Sequence, residues 1–232
     1  VWHEPLAGPD TEFRWSFLAE QMLRFGTLDF YPPQSAADFT SYFWAESIPP
    51  GVSALHAWGF ACAETPNSIW TAPAVALQLW AIHECIYRTA HRLAGTNAAR
   101  GALLAASASP LLTWSVLLGQ ETGLTTLSLA GIAWSLSNWE QARQARWAAL
   151  VGVFAAIGAM SREYGLVFPL LAATGLAILR ADRRAWLAWA GAAGLSLVWP
   201  LRTWWLTGNP FYSLSVGPLP TNPRFIGWIE HD

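Results

Sequence analysis

Six stretches without one charged side chain follow one another through residues 65–82, 101–119, 122–139, 147–161, 164–179 and 185–201. Few folds can accommodate so much uncharged sequence separated by such short charged loops. Each stretch is short against the roughly 17–25 apolar residues of a bilayer span. Each becomes adequate if flanking arginines reach back along their stems to the interface. Gly, Ala, Ser and Thr recur inside them, as close helix–helix contact in lipid requires. The expectation is an all-α fold, a polytopic transmembrane helical bundle over residues 65–202 with juxtamembrane helices on its outer face. Buried helices of a soluble protein are the competing fold, and six such segments with so little loop count against it.

Composition agrees. The chain is 53% hydrophobic and 12% charged, where a soluble domain carries about 25% charge. Its 13 basic residues are all arginine, and a net charge of −2 leaves no basic footprint for nucleic acid. Cys62 and Cys85 lie in apolar surroundings, which argues against a structural disulfide. The chain opens at Val1 with polar, Pro-rich sequence rather than a secretory signal, and it ends at Asp232. It reads as a fragment of a longer protein.

Residues 1–64 read as an outer loop and 203–232 as the start of another. Within the first, 13–25 has helical periodicity, with Trp15, Leu18, Met22 and Phe25 on one face, as in a helix lying in the membrane interface. A second helix is expected over 51–63, started by Pro49-Pro50. Threading six spans gathers Arg88, Arg92, Arg100, Arg143, Arg146, Arg180, Arg183 and Arg184 on one side. The short loops of the other side hold only Gln120-Glu121 and Arg162-Glu163. The positive-inside rule puts the arginine-rich side in the cytoplasm. Asp10, Glu12, Glu121, Arg162, Glu163 and Arg202 then share the extracytoplasmic face, where ionisable groups beside lipid tend to mark a site.

The stretch Pro9-Asp10-Thr11-Glu12-Phe13-Arg14-Trp15, followed by Leu18-Ala19-Glu20-Gln21-Met22 and later Pro49-Pro50, resembles the first outer loop of GT-C superfamily membrane glycosyltransferases. The likeness is to the protein mannosyltransferase, aminoarabinose transferase and glycosyltransferase 39-like branches. Ser161-Arg162-Glu163-Tyr164-Gly165 is similar to the family's Arg-plus-aromatic segment, and Leu201-Arg202 with Thr207-Gly208-Asn209-Pro210-Phe211-Tyr212 to a pattern of bacterial members. The acids depart from the family's adjacent Asp-Glu. Alignment puts Glu12 on its Glu and Thr11 on its Asp, leaving open whether Asp10 or Glu12 is the base. Ile48 stands where the aminoarabinose branch has a lysine.

The resemblance implies an integral protein of the bacterial inner (plasma) membrane that moves a sugar from a polyprenyl-phosphate donor to an acceptor hydroxyl, with inversion. Asp10 and Glu12 are the candidate catalytic carboxylates, since a positioned carboxylate can take the hydroxyl proton. Arg162 and Arg202, with Glu121 and Glu163 beside them, are the candidate substrate-binding residues, because a guanidinium matches a phosphate bidentately. A divalent metal, Mg or Mn, held by Asp10, Glu12 and Glu121 could serve the phosphate instead. The partners are the lipid donor, the bilayer and an acceptor that the chain does not specify.

Other readings have less support. His83-Glu84 lacks the second histidine of a zinc motif, since residue 87 is Tyr87. His56 and His91 read as packed or capping residues. No phosphate-cradling glycine loop is present, so nucleotide-sugar use has no support. The alternative function is a transporter or flippase of a lipid-linked or polar substrate. A transporter tends to carry charge or broken helices near the bilayer midplane, and the middle of each stretch is uncharged. A non-catalytic scaffold is the third reading, and it predicts outer carboxylates that point apart.

Overall fold

The computed structural model describes residues 8, 10–44 and 46–222, and every regular element among them is helical. The chain enters through a π-helix, Thr11–Ser16, that runs into α1 (Phe17–Phe25) and stops at Gly26, whose φ is 65°. A short α2 (Asp38–Ser41) follows. Then comes α3 (Gly51–Ala63), begun by the proline pair at the expected residue and closed by Glu64 in the left-handed region. The first helix buries Trp15, Leu18 and Ala19 but leaves Phe13 and Phe25 exposed.

The long apolar runs are cut differently from the expectation. Segment α4 (Ala72–Ser107) is two helical pieces that meet at a kink at Gly95, with φ 80° and ψ −177°. The break expected between the first two runs is therefore there, but it is one residue wide, and Arg88, Arg92 and Arg100 are helical on either side of it. The run 101–119, expected as one span, is divided by Pro110. Proline has no N–H and clashes with the preceding turn, so α4 stops and α5 (Pro110–Leu117) starts afresh. Ser109 caps it by accepting from the Leu112 N–H at 3.3 Å. Then come α6 (Glu121–Ala142), α7 (Ala145–Ala159) and α8 (Val167–Ile178). The last run is α9 (Arg183–Ala193), a tighter 3-10 turn at Gly194–Leu197, and α10 (Val198–Thr207). Pro200 cannot donate to the Ser196 carbonyl, which accounts for the tightening. Among the described residues, no helix is long and apolar enough to cross a membrane. The all-α class holds, and among the described residues the runs 101–119 and 185–201 are each divided rather than forming one helix.

The main core lies among α6, α7, α8 and α9, where Ile132, Trp139, Val151, Ala155, Phe168 and Leu176 are buried together. Helix α7 is the centre of it. Its small residues let neighbours come close: a Cβ on Gly152 would lie 2.6 Å from the Trp189 carbonyl oxygen. A second cluster, Leu18, Phe30, Tyr31, Tyr42 and Trp199, ties the N-terminal segment to α10.

That segment covers one end of the bundle. Thr11 Oγ1 donates to the Leu118 carbonyl at 2.6 Å, the Gly51 N–H to Met160 O at 2.9 Å, and Trp199 Nε1 to Ser47 O at 2.8 Å. The turns α5–α6 and α7–α8 and the start of α10 therefore meet at one end. At the other end Arg143 donates to Leu179 O at 2.8 Å and Arg92 to Gln141 Oε1 at 2.8 Å. The arginine-rich turns share that end, as the charge asymmetry of the sequence predicts.

Gly51 approaches so closely that a Cβ there would sit 2.3 Å from Met160 O, whereas Gly191 has nothing within 4 Å. G51A should therefore lower stability by about 1–3 kcal/mol. G191A should be neutral or raise it by up to about 1 kcal/mol through helix propensity. Thermal unfolding of the purified full-length protein measures both, and an unchanged midpoint for G51A would contradict this packing.

Candidate functional site

At the covered end, the charged side chains form a connected set. Arg14, on the π-helix, holds two carboxylates: its Nε lies 2.9 Å from Glu46 Oε2 and an Nη 3.3 Å from Asp10 Oδ1, one helical turn back. Glu46 is buried and also accepts from the Tyr42 hydroxyl at 2.6 Å. Burial works against the Arg14 charge, but Glu46 and Asp10 outweigh it and its pKa is raised. Burial likewise pushes the Glu46 carboxyl up, although Arg14 and the Tyr42 hydroxyl oppose that. Trp44 closes the group, with the Arg14 guanidinium 5.2 Å from its ring centre.

The second ion pair comes from the bundle. Arg162 Nε lies 3.4 Å from Glu121 Oε1, joining the turn after α7 to the start of α6. Glu121 is held because its turn is pinned twice. Gln120 Nε2 donates to Thr11 Oγ1 at 3.3 Å, and the fully buried Thr11 in turn donates to Leu118 O. His56 hydrogen-bonds the Gly119 backbone and sits 3.3 Å from Ser16 Oγ. Burial holds that imidazole down to about 4, so it is a neutral packing group near pH 7.

Glu163 completes the set. Its Oε1 accepts from Ser213 Oγ at 2.9 Å, and Ser213 in turn meets Ser47 Oγ at 3.2 Å. Ser213 is delivered by the Thr-Gly-Asn-Pro turn after α10. There Gly208, at φ 75°, ends the helix, and buried Asn209 bonds the Leu214 and Pro220 carbonyls and the Phe211 N–H. Between these groups lies a cavity of about 690 Å³. Arg14, Glu46, Arg162, Glu163 and Ser213 form its polar wall, and Trp44, Ile48, Tyr164, Phe211, Leu214 and Val216 its apolar one.

The expected residues are divided by this geometry. Arg162 and Glu163 line the cavity, with Glu121 behind Arg162. Asp10 is joined to it through Arg14, with 56% of its side chain exposed. Glu12 is exposed and lies beside Glu20, whose carboxyl is raised by burial and then by Glu12. Positions two apart on a helix do not share a face, so the D-x-E spacing that separates Glu12 from Asp10 is decisive. Arg202 is engaged elsewhere: its two Nη atoms donate to Tyr31 O and Leu28 O, both at 2.7 Å. It fastens the loop before α2 rather than lining the cavity. The carboxylates of the metal set, Asp10, Glu12 and Glu121, are not brought together. Among the described residues no three His, Cys, Asp or Glu side chains are grouped to hold an ion. Asp10 faces Arg14, Glu121 faces Arg162, and Glu12 faces solvent.

Arg14 and Glu46 were not assigned a role from the sequence. Glu46 had a signal: it is the one charge between Asp38 and Glu64, just ahead of the proline pair.

The model of the dolichyl-phosphate-mannose-protein mannosyltransferase family matches residues 48–204. The chain belongs to that family. No curated protein and no solved structure matches it. The family is of GT-C type, and its members transfer a sugar from a lipid-linked donor. The matched residues include Glu121, Arg162, Glu163 and Arg202, while Asp10, Glu12, Arg14 and Glu46 precede them. In this mannosyltransferase-family chain, polar groups from both regions thus build one wall.

Because Glu46 keeps its proton to higher pH when folded than when unfolded, the native state binds more protons above the ordinary value of 4.5. Stability therefore falls as pH rises from 4.5 towards the raised folded value. Melting temperatures across that range should decline in the wild type and decline less steeply in E46Q. An equal slope in both would remove Glu46 as the source.

Proposed function

We propose that the protein transfers a sugar from a polyprenyl-phosphate donor to an acceptor hydroxyl at the cavity between the N-terminal segment and the bundle. The observation that carries this reading is two arginines, Arg14 and Arg162, on one cavity wall, facing an apolar side made of Trp44, Ile48, Tyr164 and Phe211. A lipid-linked phosphate needs cations for its head and apolar surface for its first isoprene units.

In the proposed step, the acceptor oxygen attacks the anomeric carbon from the face opposite the phosphate, giving inversion. Asp10 takes the hydroxyl proton, as the exposed carboxylate on the Arg14 side of the cavity. The bond from the anomeric carbon to the phosphate oxygen breaks, and its electron pair stays on the departing polyprenyl phosphate. Arg162, aimed by Glu121, meets the charge that develops there, with Arg14 as the second cation. Glu163 and Ser213 offer polar contacts to the sugar hydroxyls.

Membrane embedding belongs to the same proposal. Large apolar side chains stand exposed along the bundle, among them Leu77, Trp80, Leu104, Leu111, Trp114, Leu170, Ile178 and Leu187. So much exposed apolar surface suits lipid better than water. With the arginine-rich turns in the cytoplasm, the cavity would open on the extracytoplasmic face of a bacterial inner membrane. The rival transporter reading wants its charges midway along the helices. Here Glu121, Arg162 and Glu163, the charges joined at the cavity, lie at helix starts and turns.

D10N in the full-length protein should lower turnover by about 10²–10⁴-fold, the usual contribution of a positioned base. E12Q should leave turnover within a few-fold of wild type. R162Q should depress kcat, since it removes charge stabilisation that matters most in the transition state. Initial rates with a panel of polyprenyl-phosphate sugars measure all three. Full activity in D10N would overturn the assignment of the base, and full activity in R162Q that of the phosphate contact.

A further inference from the structure

At the opposite end of the bundle, a second cavity of about 580 Å³ opens between α4, α6 and α7. Arg88 and Arg92, one helical turn apart on α4, enter its wall, with Asn138 and Gln141 from α6 and the indoles of Trp134 and Trp147. Arg92 is held by side-chain amides at the cavity wall. Its Nε donates to Gln141 Oε1 at 2.8 Å and one Nη to Asn138 Oδ1, both neutral acceptors. Asn138 is itself fixed, its amide nitrogen donating to Trp134 O at 2.7 Å.

No carboxylate lies within ion-pair distance of Arg92 among the described residues, whose ion pairs are those of Arg14, Arg88 and Arg162. Neutral acceptors orient a guanidinium without cancelling its charge. Arg88 is different: Glu84 Oε1 lies 2.5 Å from its Nε, and its guanidinium stands 5.9 Å from the Trp134 ring centre. Trp134 and Trp147 meet edge to face at 5.3 Å and close the apolar side. The cavity thus presents a fixed planar guanidinium with uncancelled charge, its Nε and one Nη already donating to the amides around it. That chemistry suits a tetrahedral oxyanion.

We propose that this cavity binds a phosphate-bearing anion, either the head group of an anionic phospholipid or free inorganic phosphate. The lipid source rests on the membrane reading given above, under which the cavity lies at the cytoplasmic interface. Basic pockets between helices take anionic head groups there, and indoles anchor at that depth.

The test uses full-length protein in phosphatidylcholine nanodiscs, titrated with inorganic phosphate, and a second series of nanodiscs with increasing phosphatidylglycerol. Thermal stability is the readout. The wild type should gain stability in at least one series. R92Q should need about tenfold or more of the same anion for half the effect, the loss expected for a charge-assisted hydrogen bond. A gain with phosphatidylglycerol alone assigns the lipid head group. A gain with inorganic phosphate assigns the free anion. No gain in either series, or an equal gain in R92Q, overturns the proposal. Should R92Q not fold, R88Q on the exposed side carries the same test, and an unchanged half-saturation point overturns it. Sugar transfer should stay at the wild-type rate in both variants, because neither residue lines the other cavity. Failure of this site with transfer intact is thereby distinct from failure of the glycosyltransferase reading.

Discussion

One backbone contact organises the covered end of the molecule. The Gly51 N–H donates to the Met160 carbonyl at 2.9 Å, and the absence of a side chain at Gly51 is what allows α3 to start directly against the end of α7. The two segments on either side of that contact are the ones that carry charge. Glu46 and Ser47 lie a few residues before Gly51, and Arg162 and Glu163 follow Met160 by two and three positions. Fixing the one pair of backbone groups therefore sets the other side chains within reach of one another. Thr11 repeats the arrangement on a neighbouring turn, where its hydroxyl and the Gln120 amide tie the acidic motif to the segment bearing Glu121.

Electrostatically, the site is balanced rather than strongly positive. Arg14 is shared by Asp10 and Glu46, Arg162 is paired to Glu121, and Glu163 is bonded to Ser213. In a partly buried wall this balance has a physical reason, since an unpaired charge there is costly. It also means that each arginine reaches a ligand already oriented. The 3.4 Å separation of Arg162 from Glu121 and the 3.3 Å separation of Arg14 from Asp10 are looser than the 2.9 Å contact between Arg14 and Glu46. The pair with Glu46 is the closer and the more buried, although Arg14 Nε makes no aligned hydrogen bond in it. The looser ones can share their donors with an anion.

Much of the fold was legible in the sequence, and the failures have identifiable causes. The bounds of α3 follow from Pro49-Pro50 and an uncharged run, both local signals. The apolar run around Pro110 misled because proline is tolerated in the first turn of a new helix, so a break looks like a continuation. The arginines of α4 marked a break that the structure has, but a narrower one than charge suggested: arginine is a good helix former, so helix runs up to Gly95 from both sides. In the site, Arg162 and Glu163 were found because they interrupt apolar sequence. Glu46 interrupts it too, but its importance depends on Arg14 and Tyr42, and no spacing rule joins residue 14 to residue 46.

The amino-acid sequence by itself determined the all-α class, the family and the segregation of arginines to one end of the bundle. Each of these is a sum over many residues, or a run of them, and survives errors at single positions. Which distant carboxylate meets which guanidinium was decided only by tertiary structure. Arg14 meets Glu46 and Arg162 meets Glu121, partners that no local spacing joins. Arg202 keeps its charge but its donors are taken by Leu28 and Tyr31, residues more than 170 positions away. Direction and competition for donors are properties of packed atoms, and they have no counterpart in a linear pattern.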